Sequence, residues 1–308
     1  MIGFVTFFNK KYLLAGLTLV DSIVAQMPES KIYVMPLDIQ STQICSEKFI
    51  STENVVVLDN TEILTKIQYF ASKGRSLPEA IFSVKPEIIL KAFSKISEDD
   101  LLIYCDADIF FFSNLKLEIS KRLGLVVSKH IFSKTLAHHK EYGEYNAGLV
   151  GFKKNSIGLG ILKEWIELCH EKCSLVPSED HFADQKYLGR LFAENPSSLC
   201  LERYGVNQSL WALSDNSSIR QNSINGDPLV CFHFHGFKSF RNVYFTDLDR
   251  YGRMKTRKEI WKQIYLPYVQ ALNANLGRCL EVLERQPIRE FNFKRIADYN
   301  RWSNLDNQ

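Results

Sequence analysis

Apolar residues in this chain come in two kinds of block. Short, nearly unbroken runs at 1–8, 31–37, 54–58, 101–112, 124–128 and 145–152 predict buried strands. Between them lie stretches with helical spacing. Residues 11–27 carry Leu13, Leu14, Leu17, Val20, Ile23 and Val24, and Pro28 ends the pattern. Residues 42–51 predict a second helix, residues 157–173 a third through Ile161, Leu162, Trp165, Ile166 and Leu168, and residues 180–193 a further one. Strands separated by helical patterns imply βαβ units. The predicted fold is therefore α/β: a Rossmann-like, mainly parallel mixed sheet flanked by helices, with its ligand crevice at the carboxyl edge of the strands. From Lys255 onward the chain is basic and helical, with Ile260, Trp261, Ile264, Tyr265, Leu266, Tyr268 and Val269 on one stripe. That divides the chain into a main domain, 1–240, and a C-terminal helical appendage, 241–308. The stripe predicts packing on the main domain, and a membrane-surface helix is the other reading of a basic amphipathic segment.

Two segments carry punctuation. In residues 60–82 the periodicity weakens, and Gly74, Arg75, Ser76 and Pro78 mark a loop placed over the crevice. Pro86 suits the first turn of a helix through Ile88, Ile89, Leu90, Ala92 and Phe93. Lys85 then stands at a helix N-terminus, where an anion would bind, unless it is an ordinary solvated lysine.

Composition narrows the class. At 308 residues the chain can bury a full core, and 45% hydrophobic with 24% charged residues is the balance of a soluble globular protein. A net charge of +3 is too small to argue for nucleic acid. The seven cysteines are odd in number and scattered, several inside apolar runs, which suits a reducing compartment and no disulfide framework. Cys169 and Cys173 are one helical turn apart and lack a second ligand pair at zinc spacing. No basic leader precedes the short apolar start, and no window approaches a membrane span. The expected location is cytoplasmic, with peripheral contact at the inner face of the membrane allowed.

The candidate chemistry begins at Leu101-Leu102-Ile103-Tyr104-Cys105-Asp106-Ala107-Asp108-Ile109-Phe110. Two carboxylates set between apolar runs are costly to bury unpaired, so a divalent cation at the strand's carboxyl end explains them. On extended backbone Asp106 and Asp108 face the same way. In 229–236, His233 and His235 alternate with aromatics before Gly236, so both imidazoles share one face and either can ligate. Asn146, at the start of the run Tyr145-Asn146-Ala147-Gly148, can both donate to and accept from a sugar hydroxyl. Asp184 and Gln185 fit the first turn of a helix, where acidic side chains are favoured.

Taken in order, Phe4-Val5-Thr6 with Tyr12-Leu13, Tyr104-Cys105-Asp106-Ala107-Asp108, Tyr145-Asn146-Ala147-Gly148, Asp184-Gln185-Lys186-Tyr187 and His233-Phe234-His235-Gly236-Phe237-Lys238 resemble the GT-A-type nucleotide-sugar glycosyltransferases. The likeness is to the branch of glycogenin and the bacterial lipooligosaccharide galactosyltransferases, and it covers roughly residues 1–240. It implies that Asp106, Asp108 and His233 hold Mn²⁺ or Mg²⁺ against a donor diphosphate, with His235 as the rival ligand. Thr6, Tyr12, Lys85 and Lys238 would contact the nucleotide-sugar, and Asn146, Asp184 and Gln185 would position its sugar for reaction. In the family's late motif a Gly stands three residues after the His and a Lys six. Gly236 keeps that place, Lys238 comes one residue early, and Ser239-Phe240 replaces the usual Pro-Trp. The implied activity is transfer of a hexose from a nucleoside diphosphate sugar to a glycan or lipid-linked acceptor, with retention, in bacterial surface-polysaccharide synthesis. A sugar nucleotidyltransferase and a catalytically silent sugar-nucleotide or glycan binder are the alternatives.

Overall fold

A computed structural model describes residues 1–240, 243–246, 257–284 and 300–302. The rest of the expected appendage, 241–242, 247–256, 285–299 and 303–308, lies outside the described residues. The chain builds one seven-stranded sheet in the order β3-β2-β1-β4-β7-β6-β8. Its strands are β1 Ile2–Phe8, β2 Ile32–Pro36, β3 Val55–Val57, β4 Leu101–Cys105, β6 Leu125–Lys129, β7 Tyr145–Lys153 and β8 Leu199–Leu201. β3, β2, β1 and β4 pair in parallel. β7 runs antiparallel to both β4 and β6, and β8 restores parallel pairing beside β6. The predicted mainly parallel, mixed sheet is what forms.

Pleating explains why the runs are apolar almost without break. Phe4 and Phe8 of β1 and Leu101, Ile103 and Cys105 of β4 face one core, shared with α1 Leu13–Gln26 and α2 Ile39–Phe49. Val5, Phe7, Leu102 and Tyr104 face the other, shared with α3 Thr61–Ser72, α4 Leu77–Phe93, α5 Ser156–Glu171 and α6 Tyr187–Glu194. A strand covered on both faces cannot alternate apolar with polar.

The segment 60–82 departs from the sequence expectation. It is not a loop over the crevice: α3 fills 61–72 and α4 begins at Leu77, leaving only 73–76 as the connection. Pro78 occupies the first turn of α4, and Ser76 and Glu79 form a capping box there. Pro86 is consequently inside α4, and Lys85 lies at mid-helix, not at an N-terminus.

A second small sheet decides where the site forms. β5 Ile109–Phe111 follows β4 after a turn at residues 106–108, and it pairs antiparallel with β13 Cys231–His233, which runs parallel to β9 Val206–Gln208. The short strands β10 Ile219–Arg220, β11 Ser223–Ile224 and β12 Asp227–Pro228 make a separate ladder between β9 and β13. Beyond it, β14 Lys238–Phe240, β15 Val243–Thr246 and β16 Asn300–Trp302 form an antiparallel trio. A helical run of α7 Arg257–Ile260, a π turn at Trp261–Tyr265 and α8 Leu266–Glu284 carries the predicted apolar stripe. Ile260, Ile264, Tyr265, Tyr268, Val269 and Leu272 are buried in the same core as α1. No described helix is long and apolar enough to cross a membrane.

Candidate active site

β4 ends at Cys105, and the backbone turns through Asp106, Ala107 and Asp108, with Ile109 N–H donating to the Asp106 carbonyl at 3.1 Å. The two carboxylates thus stand on a tight turn between two sheets, where the extended-backbone expectation does not hold. They converge because of what pairs with the next strand. His233 sits opposite Ile109 in the β13–β5 register, and Phe234 N–H donates to the Asp108 carbonyl at 2.8 Å. His233 Nε2 comes within 3.1 Å of Asp108 Oδ1 and 3.9 Å of Asp106 Oδ2. Ligand atoms of Asp108, His233 and His235 all lie within 4.8 Å of one another.

Each member is tuned by its neighbours. Burial works against the Asp108 carboxylate, but the charge and hydrogen bond of His233, helped by His235, carry it down to about 2. Burial also opposes the His233 imidazolium, and Asp108 and then Asp106 raise it above its ordinary value despite that. Asp106 Oδ1 accepts a short hydrogen bond from the Tyr104 hydroxyl. Lys85 reaches this end from α4: its Nζ lies 2.7 Å from Asp184 Oδ2 and 3.6 Å from Asp106 Oδ1, with the side chain almost wholly buried. Burial works to lower the lysine's proton affinity, but Asp106 and Asp184 outweigh it, so the ammonium stays charged. Asp184 is buried as well, and burial raises its carboxyl against the pull of Lys85.

Asp184 and Gln185 precede α6 instead of opening it, and Ala183 before them has a positive φ of 47°. The Asp184 carbonyl accepts from Trp165 Nε1 at 2.9 Å, which fixes the turn against α5. Both ends of the Gln185 amide are engaged: Oε1 accepts from Ala147 N–H at 3.0 Å, and Nε2 donates to the Tyr142 carbonyl at 3.0 Å.

Asn146 is set by a knot that sequence reasoning missed. Its Oδ1 accepts from Gly148 N–H at 2.9 Å and from Asn207 Nδ2 at 3.1 Å, so its Nδ2 is what remains to serve a ligand. Asn207, buried with φ 50°, also donates to Ser128 Oγ at 2.6 Å. Ser128 sits where the β6–β7 register shifts. No sequence signal announced this contact, because a register shift is a property of strand pairing. Gly148 is required here, since a Cβ on it would stand 2.7 Å from both Asn146 Oδ1 and His233 Cε1.

Other predicted positions are more dispersed. The Thr6 hydroxyl is buried within β1 and has no hydrogen-bond partner. Tyr12 precedes α1 and is partly exposed as a residue, and burial of its phenol, then the charges of Asp108 and Asp106, raise its proton affinity. Lys238, at the start of β14, is half-buried.

One carboxylate and two imidazoles, with the Asp106 carboxylate beside them, are a hard-oxygen, borderline-nitrogen donor set that fits a divalent ion such as Mn²⁺ or Mg²⁺. The buried His233 Nδ1 has no hydrogen-bond partner, consistent with a ring held by packing against Gly148 and by its Nε2 contacts. The seven cysteines are all free.

No protein-family model matches the chain. Among curated proteins it is similar to two uncharacterized proteins of Bacillus subtilis (strain 168). It is 24% identical to YfnF over 77% of this chain and 82% of that one, and 22% identical to YfnD over 91% and 90%. Among solved structures it is similar to the galactosyltransferase LgtC in complex with donor and acceptor sugar analogs. That match has a TM-score of 0.50 at 16% identity and covers 77% of this chain and 87% of that chain. The glycosyltransferase GlyE of Streptococcus pneumoniae TIGR4 also matches, with TM-score 0.50 and 16% identity over 92% of this chain. The chain spans 64% of the GlyE chain. Together with the sheet order and the carboxylate turn at the carboxyl edge of β4, these neighbours place the chain in the GT-A fold of glycosyltransferases.

Proposed function

We propose that this protein is a metal-dependent glycosyltransferase that moves a hexose from a nucleoside diphosphate sugar to a glycan or lipid-linked acceptor, with retention, in bacterial surface-polysaccharide synthesis. The observation that carries this reading is one cluster at the carboxyl edge of the sheet: Asp108, His233 and His235 together, Asp106 beside His233, and the buried Lys85–Asp184 pair next to Asp106. LgtC, the galactosyltransferase solved with donor and acceptor sugar analogs, and GlyE supply the parallel.

In this reading Asp108 and His233, with Asp106 or His235, hold Mn²⁺ or Mg²⁺. The ion, when bound, neutralises the negative charge that develops on the leaving diphosphate. Lys85 adds fixed positive charge at the same end, and burial makes that charge worth more than it would be in water. Tyr12, partly exposed before α1, contacts the nucleotide, Thr6 lines the crevice from β1, and Lys238 contacts phosphate. On the sugar side Asn146 donates through Nδ2 and Asp184 accepts, while Gln185 positions the donor through the turn it braces.

The test is incubation of the protein with nucleoside diphosphate sugars and Mn²⁺, followed by product analysis. Metal-dependent release of free nucleoside diphosphate supports the proposal. Release of pyrophosphate from a nucleoside triphosphate and a sugar 1-phosphate, supplied in a parallel incubation, would transfer the site to nucleotidyl chemistry, and tight donor binding without turnover across a broad acceptor panel would make it a binding protein.

A further inference from the structure

Among the described residues, left-handed backbone outside glycine occurs at Asp99, Ala183, Asn207, Asn222 and Asn225. Asp99, Asn222 and Asn225 are exposed turn residues, and their short polar side chains tolerate a positive φ. Ala183 and Asn207 are buried, and both stand beside the site: Ala183 next to Asp184, and Asn207 against Asn146. Such backbone persists in a core only where the surroundings hold it.

Asn207 is wholly buried on β9, and packing alone does not ask for an amide there. Its Oδ1 is buried with no hydrogen-bond partner, a cost that an apolar side chain would avoid. What the amide supplies is two hydrogens. Nδ2 donates to Ser128 Oγ at 2.6 Å and to Asn146 Oδ1 at 3.1 Å. The direction of these bonds is set by a backbone group. Gly148 N–H can only donate, so the Asn146 atom that meets it at 2.9 Å is the oxygen, and the Asn207 atom that meets that oxygen is the nitrogen. Two donors therefore converge on Asn146 Oδ1. Turning the Asn146 amide over would lose both bonds and set its NH₂ against two N–H groups.

We infer that Asn207 is a positioning residue that sets donor specificity through Asn146. By holding Asn146 Oδ1 it leaves Nδ2 toward the crevice, so the donor sugar is read at that point as a hydrogen-bond acceptor. On the transferase reading, on which this rests, the sugars that fit present a hydroxyl oxygen there, and a deoxy carbon leaves a desolvated N–H unpaired. Asn207→Asp replaces the donor by an acceptor of the same shape, and the Asn146 amide has to turn to meet it. Asn207→Gly deletes the donor and keeps a residue at ease with positive φ.

The experiment is calorimetric titration, with Mn²⁺ present, of UDP, GDP, UDP-glucose, UDP-galactose and GDP-mannose, then of the deoxy and deoxyfluoro forms of whichever sugar nucleotide binds. Fluorine accepts a hydrogen bond and cannot donate one. In the wild type one ring position should lose about five- to tenfold in affinity when hydroxyl becomes hydrogen, and fluorine there should recover part of the loss. In Asn207→Asp and Asn207→Gly this preference for fluorine over hydrogen should disappear, with affinity for the bare diphosphate within about twofold of the wild type. Urea unfolding sets conditions in which each variant is folded. A residue that only holds the core would weaken every ligand alike and keep the preference. A preference retained in either folded variant overturns the inference, as does a wild type that shows none at any position or binds UDP or GDP but no sugar nucleotide. A wild type that binds no nucleotide at all would sink the transferase reading itself, and this assignment with it.

Discussion

Single residues divide by whether their role is local. Asp106, Asp108, His233 and His235 were legible because polar groups interrupt apolar runs, and such interruptions need a physical cause. Lys85 was legible as a charge near the crevice but not as a buried one, because its burial depends on Asp184, far along the chain. Ser128 and Asn207 gave no signal, since a hydroxyl or amide is recruited by whatever the register brings opposite it. Asp108→Asn should abolish metal-dependent donor turnover, because the amide keeps the shape and loses the charge; full activity in excess chelator would reject the site. The histidines are separable by Mn²⁺ titration at saturating donor. His233, buried and 3.1 Å from Asp108, should weaken apparent metal affinity about 10- to 100-fold or more when replaced by Ala, and the exposed His235 should do so less. A collapse confined to His235→Ala would reverse that order. Glu87 offers a pH test away from the site. Burial raises its carboxyl, but His170 and Lys66 overcome this and hold it below its ordinary value. A depressed folded-state value means the stabilisation is complete above the unfolded carboxylate range and is lost as pH falls through the folded value. Glu87→Gln should therefore cost about 1–3 kcal/mol in urea unfolding at pH 7, a deficit that shrinks at acid pH; a deficit independent of pH would refute the pairing.

At the scale of elements, two-sided burial gives strands a plain signature in the sequence, and helix starts carry a weaker one. Two prolines competed for one role. Pro86 suits a first turn by sequence, but the capping box Ser76–Glu79 puts Pro78 there, so the helix begins eight residues earlier and 61–72 is helical instead of a loop. Arg75 then gains a clear task. Its guanidinium donates to the carbonyls of Cys169 and Glu171 at 2.7 Å and 3.2 Å, to that of His170 and to the Ser83 hydroxyl, while lying over the Phe70 ring at 4.5 Å. It closes the C-terminus of α5, where Lys172 N–H already serves the Leu168 carbonyl and Arg75 serves the last three, and ties the α3–α4 connection to that end. Protease treatment should leave 60–82 equally intact with and without Mn²⁺ and donor. Arg75→Ala should expose the connection to cleavage and lower stability by about 2–3 kcal/mol; ligand-dependent protection in the wild type would restore the idea of a mobile cover.

The molecule as a whole couples its C-terminal helix to the site through the core. Asn275 on α8 accepts from Lys48 at 2.9 Å and donates to Asp21 at 2.7 Å, while Lys48 pairs with Asp21 at 2.8 Å, so α8, α2 and α1 meet in one half-buried polar contact. Tyr268, on the predicted apolar stripe, stacks on Phe234 with centroids 3.7 Å apart. Phe234 lies between the two histidines in sequence, and its amide bonds the Asp108 carbonyl. The stripe was legible as something that packs; its partner was not, because nothing in residues 257–284 names the strand they cover. The arrangement predicts action at a distance. Tyr268→Ala should cost about 3–5 kcal/mol of stability, the range for removing a buried aromatic. It should also loosen the β13 end that sets His233 against Asp108, and so weaken Mn²⁺ binding in whatever fraction stays folded. Tyr268→Phe keeps the stacking and should preserve metal affinity. Urea unfolding and Mn²⁺ titration of both variants, at a temperature where each is folded, make the comparison. A folded Tyr268→Ala protein with wild-type Mn²⁺ affinity would show that the histidine strand holds its place without the helix behind it.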